Sequence, residues 1–147
     1  MEATLAGTPS SGESSDLALR VGVLTAQMQS MAIQNEGLLR TMIHKTVLER
    51  SPTGHSRRGT RWMDWIEAAI QPLRELVRPA AYRRLVASLA LCGGIEALLV
   101  LRDICRLPPQ EAIAVSRWTA QSLLKQTIRE SRTSYPSAKK RGARSAN

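Results

Sequence analysis

The chain has 147 residues, of which 43% are hydrophobic and 22% are charged, so its composition is that of one globular domain rather than of a disordered protein. Its net charge is +9, and five positive charges follow the last predicted helix, a pattern typical of a solvated tail that can also touch nucleic acid or a membrane. Two cysteines and no apolar N-terminal segment argue against a secreted, disulfide-rich protein and favour a reducing cytoplasm.

The N-terminal part of the chain predicts a flexible leader followed by one amphipathic helix. The leader covers residues 1–13, which are rich in Ser, Gly and Thr and show no periodicity. Either Ser14 or Ser15 is expected to cap the first helix, which runs to about Ile33. Its apolar stripe has helical spacing and consists of Leu17, Val21, Leu24, Met28, Met31 and Ala32.

A second helix and a basic loop follow. The helix begins near Asn35, and one of its faces carries Leu38, Leu39, Met42, Ile43 and Thr46. Residues 51–59 form the loop, for which a mobile surface segment is the ordinary interpretation and an anion contact is the alternative.

The third helix, predicted for residues 60–77, has the clearest amphipathic pattern in the chain. Trp62, Trp65 and Ile66 lie on its apolar side. Pro72 lacks a backbone N–H and is expected to bend this helix.

The apolar run Leu85–Cys105 is predicted to form most of a fourth helix. Up to Leu101 its only polar side chains are Ser88 and Glu96. We interpret it as a soluble helix covered on nearly every side rather than a membrane span, because it is short for a span and a carboxylate is costly in a bilayer. The pair Gly93–Gly94 lowers helix propensity and indicates a close approach by another backbone, which suggests packing against a second copy of the protein.

Prolines mark the starts of the last two helices. Pro79 suits the first position of the fourth helix, and the fifth helix runs from about Pro109 to Ser131. Apolar and small residues cover more than half of the fifth helix, which favours contact with the fourth helix and a partner at once. A basic tail covers residues 132–147. Five helices without strand-like alternation predict an all-α, five-helix bundle.

The last two helices carry a family resemblance. The segments Gly94–Ala97, Leu101–Cys105 and Glu111–Ala112, followed by Arg117–Trp118 and Leu123–Leu124, resemble the C-terminal ligand-binding and dimerisation domain of TetR-family transcriptional regulators. Upstream, Asn35–Arg40 looks like the N-terminal portion of that domain, so the resemblance covers about residues 15–131 and defines a TetR-like domain at 14–131.

Two departures from the family pattern stand out. Pro108 replaces the Ser or Thr that usually caps the last helix, which removes a side-chain cap of about 1 kcal/mol. The family's helix-turn-helix domain also has no counterpart, so a complete chain of this sequence is expected not to read DNA in the family's way.

The resemblance implies a homodimer whose last two helices form a four-helix interface, and a pocket for a small apolar effector enclosed by the first three helices. A mixed dimer with an intact TetR-like relative is a further implied partnership, and contact with DNA is expected only indirectly. The predicted interface residues are Gly94, Glu96, Leu99, Val115, Trp118, Thr119 and Leu123.

The predicted ligand-binding residues are Met28, Met42, Trp62, Trp65, Ile66 and Cys92, since Trp and Met suit adaptable apolar sites. Plain core packing is the alternative for each of them. Glu96 is expected to form a structural pair at the dimer interface with Arg102 or Arg117, and a polar anchor for the effector is the alternative. Trp118 indicates either rim packing in the dimer or an ordinary half-exposed side chain.

No catalytic constellation or phosphate loop is recognisable, and His44 and His55 are too differently placed for a metal site. We therefore expect no enzyme activity, cofactor or metal. The leading hypothesis is the effector-sensing and dimerisation domain of a TetR-like regulator without its DNA-reading head. The alternative is a small basic helical protein that binds nucleic acid or an acidic membrane surface through its loop and tail.

Overall fold

The computed structural model of the protein describes residues 9–48 and 61–133. Within these ranges 87% of the residues are helical and no strand occurs, so the predicted all-α class is confirmed. The described part contains six helices instead of the predicted five: α1 (Ser11–Gln34), α2 (Glu36–Leu48), α3 (Arg61–Ile70), α4 (Pro79–Leu91), α5 (Ile95–Leu99) and α6 (Pro109–Thr133). The predicted loop at 51–59, residues 1–8 of the leader and the tail beyond Thr133 lie outside the described residues.

The prediction of one continuous fourth helix is wrong, because the chain breaks at its glycine pair. α4 ends at Leu91, and Gly94 has a φ of +86°, a conformation that favours glycine. α5 then passes into a π-helical turn, Val100–Ile104. The segments before and after the break are bent by 52°. No single helix of the described part is long and apolar enough to cross a membrane. Among the described residues, only the two segments of this bent pair, taken together, reach the length and apolar composition of a span.

The first and third helices differ from prediction at their ends. α1 begins at Ser11 because Ser10 forms a capping box, in which its hydroxyl accepts from the Glu13 N–H and the Glu13 carboxylate accepts from the Ser10 N–H. The last three residues of the predicted leader are therefore helical. α3 ends at Ile70, and a 3₁₀ turn over Gln71–Leu73 contains Pro72. The proline therefore ends the helix rather than bending it.

An antiparallel pair, α1 and α6, forms the centre of the bundle. Arg132 near the end of α6 donates to the Pro9 carbonyl oxygen before α1 (2.9 Å), and Gln29 near the end of α1 donates to the Ser116 hydroxyl in the first half of α6 (2.7 Å). α3 and α4 pack against this pair. The main core is made of fifteen buried residues: Leu17, Ala18, Val21, Ile66, Ile70, Leu73, Val77, Tyr82, Leu85, Val86, Leu89, Cys92, Ala120, Leu124 and Ile128.

A smaller core cluster lies at the other end of the bundle, where α5 meets the end of α1. Its buried members are Ala32, Ile95 and Leu98. Leu39 and Ile43 of α2 pack against this cluster but are only partly buried, and α2 contains no buried residue. The second helix is therefore attached to the outside of the bundle rather than built into it.

Candidate functional site

An apolar groove of about 370 Å³ lies between α1, α2, the start of α3 and the start of α5. Three of the chain's five methionines line it, and the indole of Trp62 and the side chain of Ile95 face them. The volume falls within the range of small-molecule sites, and flexible thioethers beside an aromatic ring suit adaptable apolar binding. The lining residues of the described part are Met28, Met31, Ala32, Asn35, Leu38, Leu39, Met42, Ile43, Thr46, Trp62, Gly94, Ile95 and Glu96.

The indole of Trp62 lies in the groove wall against Gly93. A Cβ atom at Gly93 would lie 2.7 Å from Cζ2 of Trp62, so the indole occupies the space that any other residue would fill. The close approach predicted for these glycines is therefore made at Gly93 by a side chain of the same chain rather than by another backbone, so the glycines do not by themselves argue for a second copy. The indole Nε1 is buried and has no hydrogen-bond partner.

A buried amide lies beneath the same break. The Gln29 side chain is 0% exposed, and its Nε2 donates to Ser116 (2.7 Å) and, at 3.5 Å, to the Cys92 carbonyl oxygen at the end of α4. A helix end leaves carbonyl groups unpaired, so this contact compensates part of the cost of the break. Gln29 thereby joins α1, the end of α4 and α6 at one point.

The six predicted ligand residues separate into three places. Met28, Met42 and Trp62 line the groove together. Trp65 instead lines a second groove of about 780 Å³ along the outer side of α1. Ile66 and Cys92 are buried in the main core, where burial raises the pKa of the Cys92 thiol. These last two residues therefore pack the core and do not line the groove.

Sequence reasoning missed several groove residues although their signal was present. Leu38, Leu39 and Ile43 lie on the apolar face predicted for the second helix, and all three line the groove. Met31 lies on the predicted stripe of the first helix. A face with helical spacing is visible in a sequence, whereas the element opposite that face is not. The contribution of α5 was therefore anticipated only in the alternative role of Glu96 as a polar anchor, and that of Ile95 was missed.

The residues predicted for a dimer interface also fall in different places. Gly94 and Glu96 line the groove, and Leu99 packs beside the smaller core cluster. The α6 residues form a separate surface, which we call the α6 face and define as Val115, Trp118, Thr119, Ser122 and Leu123. Trp118 is 69% exposed and is the largest apolar side chain of this face. Leu123 is partly buried and packs against the main core.

Glu96 is not the covered carboxylate that the sequence predicted. It is exposed in the first turn of α5, where the helix dipole favours a negative charge. Its predicted partner Arg102 donates instead to the Leu107 carbonyl oxygen (2.9 Å), and Arg117 lies at the second groove. Exposure in the single chain removes the argument that this residue requires a dimer.

A bidentate ion pair connects α2 to the π-helical turn. Nη1 and Nη2 of Arg40 donate to the two carboxylate oxygens of Asp103 at 2.9 and 2.8 Å, and Nε donates to Glu36 at 2.8 Å. These hydrogen bonds hold the pKa of Asp103 below its usual value and raise the pKa of Arg40. Their side chains are 39% and 49% exposed, so the pair is a partly exposed one of the surface type.

The described residues contain no group of three His, Cys, Asp or Glu side chains that is arranged to hold a metal ion. Comparisons of the chain with family models, curated proteins and solved structures gave no match. Any function assigned to this chain therefore rests on its own residues and on their geometry.

Proposed function

We propose that the chain is the effector-binding and dimerisation domain of a TetR-like transcriptional regulator, with the groove beneath α2 as its effector site. The observation that carries this proposal is the groove, in which Met28, Met42 and Trp62 of the predicted ligand set come together. The resemblance in α5 and α6 supplies the regulator part of the proposal, and the groove supplies the effector part.

The lining indicates which molecule the site accepts. Methionine, leucine and isoleucine side chains make up most of it, and the described lining contains no lysine or arginine. A carboxylate or phosphate on the ligand would therefore lose its water without gaining a cation. The described lining is therefore suited to a small and mainly apolar molecule without an anionic group.

The α6 face supports the dimerisation part. The indole of Trp118 is 69% exposed, and Val115, at 39% exposure, lies on the same side of the helix, so a partner that covered this face would bury both apolar side chains. Aromatic side chains at the centre of an interface commonly contribute most of its binding energy. We propose that two copies meet through this face.

The effector site is tested with N-phenyl-1-naphthylamine, a neutral dye whose fluorescence rises in apolar surroundings. Wild-type protein is expected to bind it saturably. Met42→Asp is expected to weaken binding about tenfold, because a charge replaces an apolar lining side chain. Met42 is exposed and α2 has no buried residue, so this change should leave the fold intact.

The matched control is Val47→Asp, which adds the same charge to an exposed apolar position of α2 outside the groove. It is expected to bind the dye as wild type does. Absence of saturable binding by the wild type, or equal weakening by both substitutions, would contradict the proposed site.

A further inference from the structure

The wall of the groove that α2 forms is held loosely. None of its residues is buried, and its exposed apolar side chains include Leu38 at 65% and Val47 at 70%. Its apolar contact with the bundle is made by Leu39 and Ile43 against the smaller core cluster. Helices with few buried apolar contacts are the parts of a protein that open most readily.

The joint between α1 and α2 is a single residue. Asn35 ends α1 with φ −113° and ψ 21°, and its side-chain amide donates to the Met31 carbonyl oxygen (2.8 Å). The Leu39 N–H then donates to the Asn35 carbonyl oxygen (3.0 Å), which starts a new ladder. A change of backbone angles at this residue therefore moves α2 while leaving most hydrogen bonds of either helix in place.

The Arg40–Asp103 pair joins this loosely held wall to the π-helical turn that continues α5, whose first residues line the groove. It spans 63 positions of sequence, and its fork-to-fork geometry fixes the position of α2 relative to the π-helical turn. Glu36 holds the guanidinium from within α2. A π-helical turn is itself a common feature of functional sites.

We propose that α2 is a movable wall of the groove and that the Arg40–Asp103 ion pair is its latch, so that ligand enters and leaves when the latch opens. The role of the latch in ligand entry rests on the proposed effector site. The opening of α2 does not rest on that site, because it is measured without any ligand.

The first experiment measures hydrogen–deuterium exchange of the full chain by mass spectrometry. Arg40→Ala and Asp103→Ala are each expected to accelerate exchange of α2 peptides about two- to fivefold, the effect of losing a surface ion pair. The double variant should exchange no faster than Arg40→Ala, because that single change already removes the pair with Asp103. Peptides of α1 and α6 should exchange at the wild-type rate.

Two further variants test whether faster exchange comes from loss of the Arg40–Asp103 pair or from lower stability of the α2 helix itself. Lys45→Ala removes a positive charge from the same helix and should exchange as the wild type does. Glu36→Ala breaks the intrahelical partner but leaves Asp103, so its effect should be smaller than that of Asp103→Ala. Unchanged α2 exchange in Asp103→Ala, equal acceleration of all helices, or an equal effect of Glu36→Ala would overturn the latch.

The second experiment follows dye binding and release by stopped-flow fluorescence. If the latch controls entry, Asp103→Ala raises the association and dissociation rates of N-phenyl-1-naphthylamine by similar factors and leaves Kd within about twofold. A faster dissociation with an unchanged association rate would contradict a role in entry. If the wild type binds no dye, the effector site is wrong, and the exchange measurement still decides whether α2 opens.

Discussion

Gly93 shows how one missing side chain positions another residue. A Cβ atom at this position would lie 2.7 Å from Cζ2 of Trp62, and the indole packs against the main core. The absence of a side chain at this glycine therefore leaves room for the indole in the groove wall. Gly94 adopts a positive φ at the break between α4 and α5, a conformation that favours glycine.

Gly93→Ala is expected to destabilise the protein by about 1–3 kcal/mol, the usual cost of forcing extra volume into a packed site. Gly37→Ala is the matched control, because a Cβ at Gly37 meets no atom within 4 Å and the residue lies within α2. It should be neutral or stabilising by up to about 1 kcal/mol. Urea denaturation measures both, and equal free energies of unfolding would contradict the packing described for Trp62.

At the scale of elements, the contribution of the Arg40–Asp103 pair to holding α2 in place is expected to depend on pH. The groups that face Arg40 are Glu36 on its own helix and Asp103 on the π-helical turn, with Arg102 beside Asp103. The pKa of Asp103 is lowered in the folded protein. Its contribution to holding α2 is therefore complete above the unfolded pKa of about 3.9 and is lost as the pH falls through the lower folded value.

The expected result is a pH-dependent difference between wild type and Asp103→Ala. At neutral pH the protection factors of α2 amides should be higher in the wild type, because the carboxylate is charged and paired. Below about pH 4 this difference should shrink as Asp103 becomes protonated. Protection factors from amide exchange measure it, and a difference that persists after protonation would show that charge is not what holds the helix.

At the scale of the whole molecule, the bundle leaves its last helix half uncovered. One side of α6 packs on α1 with Ala120 and Leu124 fully buried, while Trp118 and Val115 face outward. A small domain buries only part of its apolar surface by itself. The proposed dimer would cover the α6 face.

Trp118→Arg is expected to convert a wild-type dimer into a folded monomer at micromolar concentration, because a charge would replace the central apolar side chain of the interface. Leu19→Arg places the same charge at an exposed apolar position of α1 and should leave the dimer intact. Analytical ultracentrifugation gives the mass, and circular dichroism checks the fold. A monomeric wild type, or a Trp118→Arg variant that remains a dimer, would contradict the proposed interface.

Local signals predicted the elements well. Pro79 and Pro109 start the helices that the sequence placed there, and the α1–α2 junction falls at Asn35 as predicted. The first cap was misplaced at Ser14 or Ser15 although the capping box of Ser10 and Glu13 was readable in the sequence. Several neighbouring serines are possible caps, and only the one with an acidic residue three positions later can form a capping box.

Long-range packing decided the rest. The sequence alone determined an all-helical chain, the apolar faces of its helices and the cost of two adjacent glycines, because these follow from backbone chemistry and helical spacing. Only the tertiary structure placed Trp62 on Gly93, buried Gln29 beneath the broken helix and set α2 across the groove from α5. Each of these arrangements joins residues more than 30 positions apart, and periodicity within one helix contains no information about which other helix it meets.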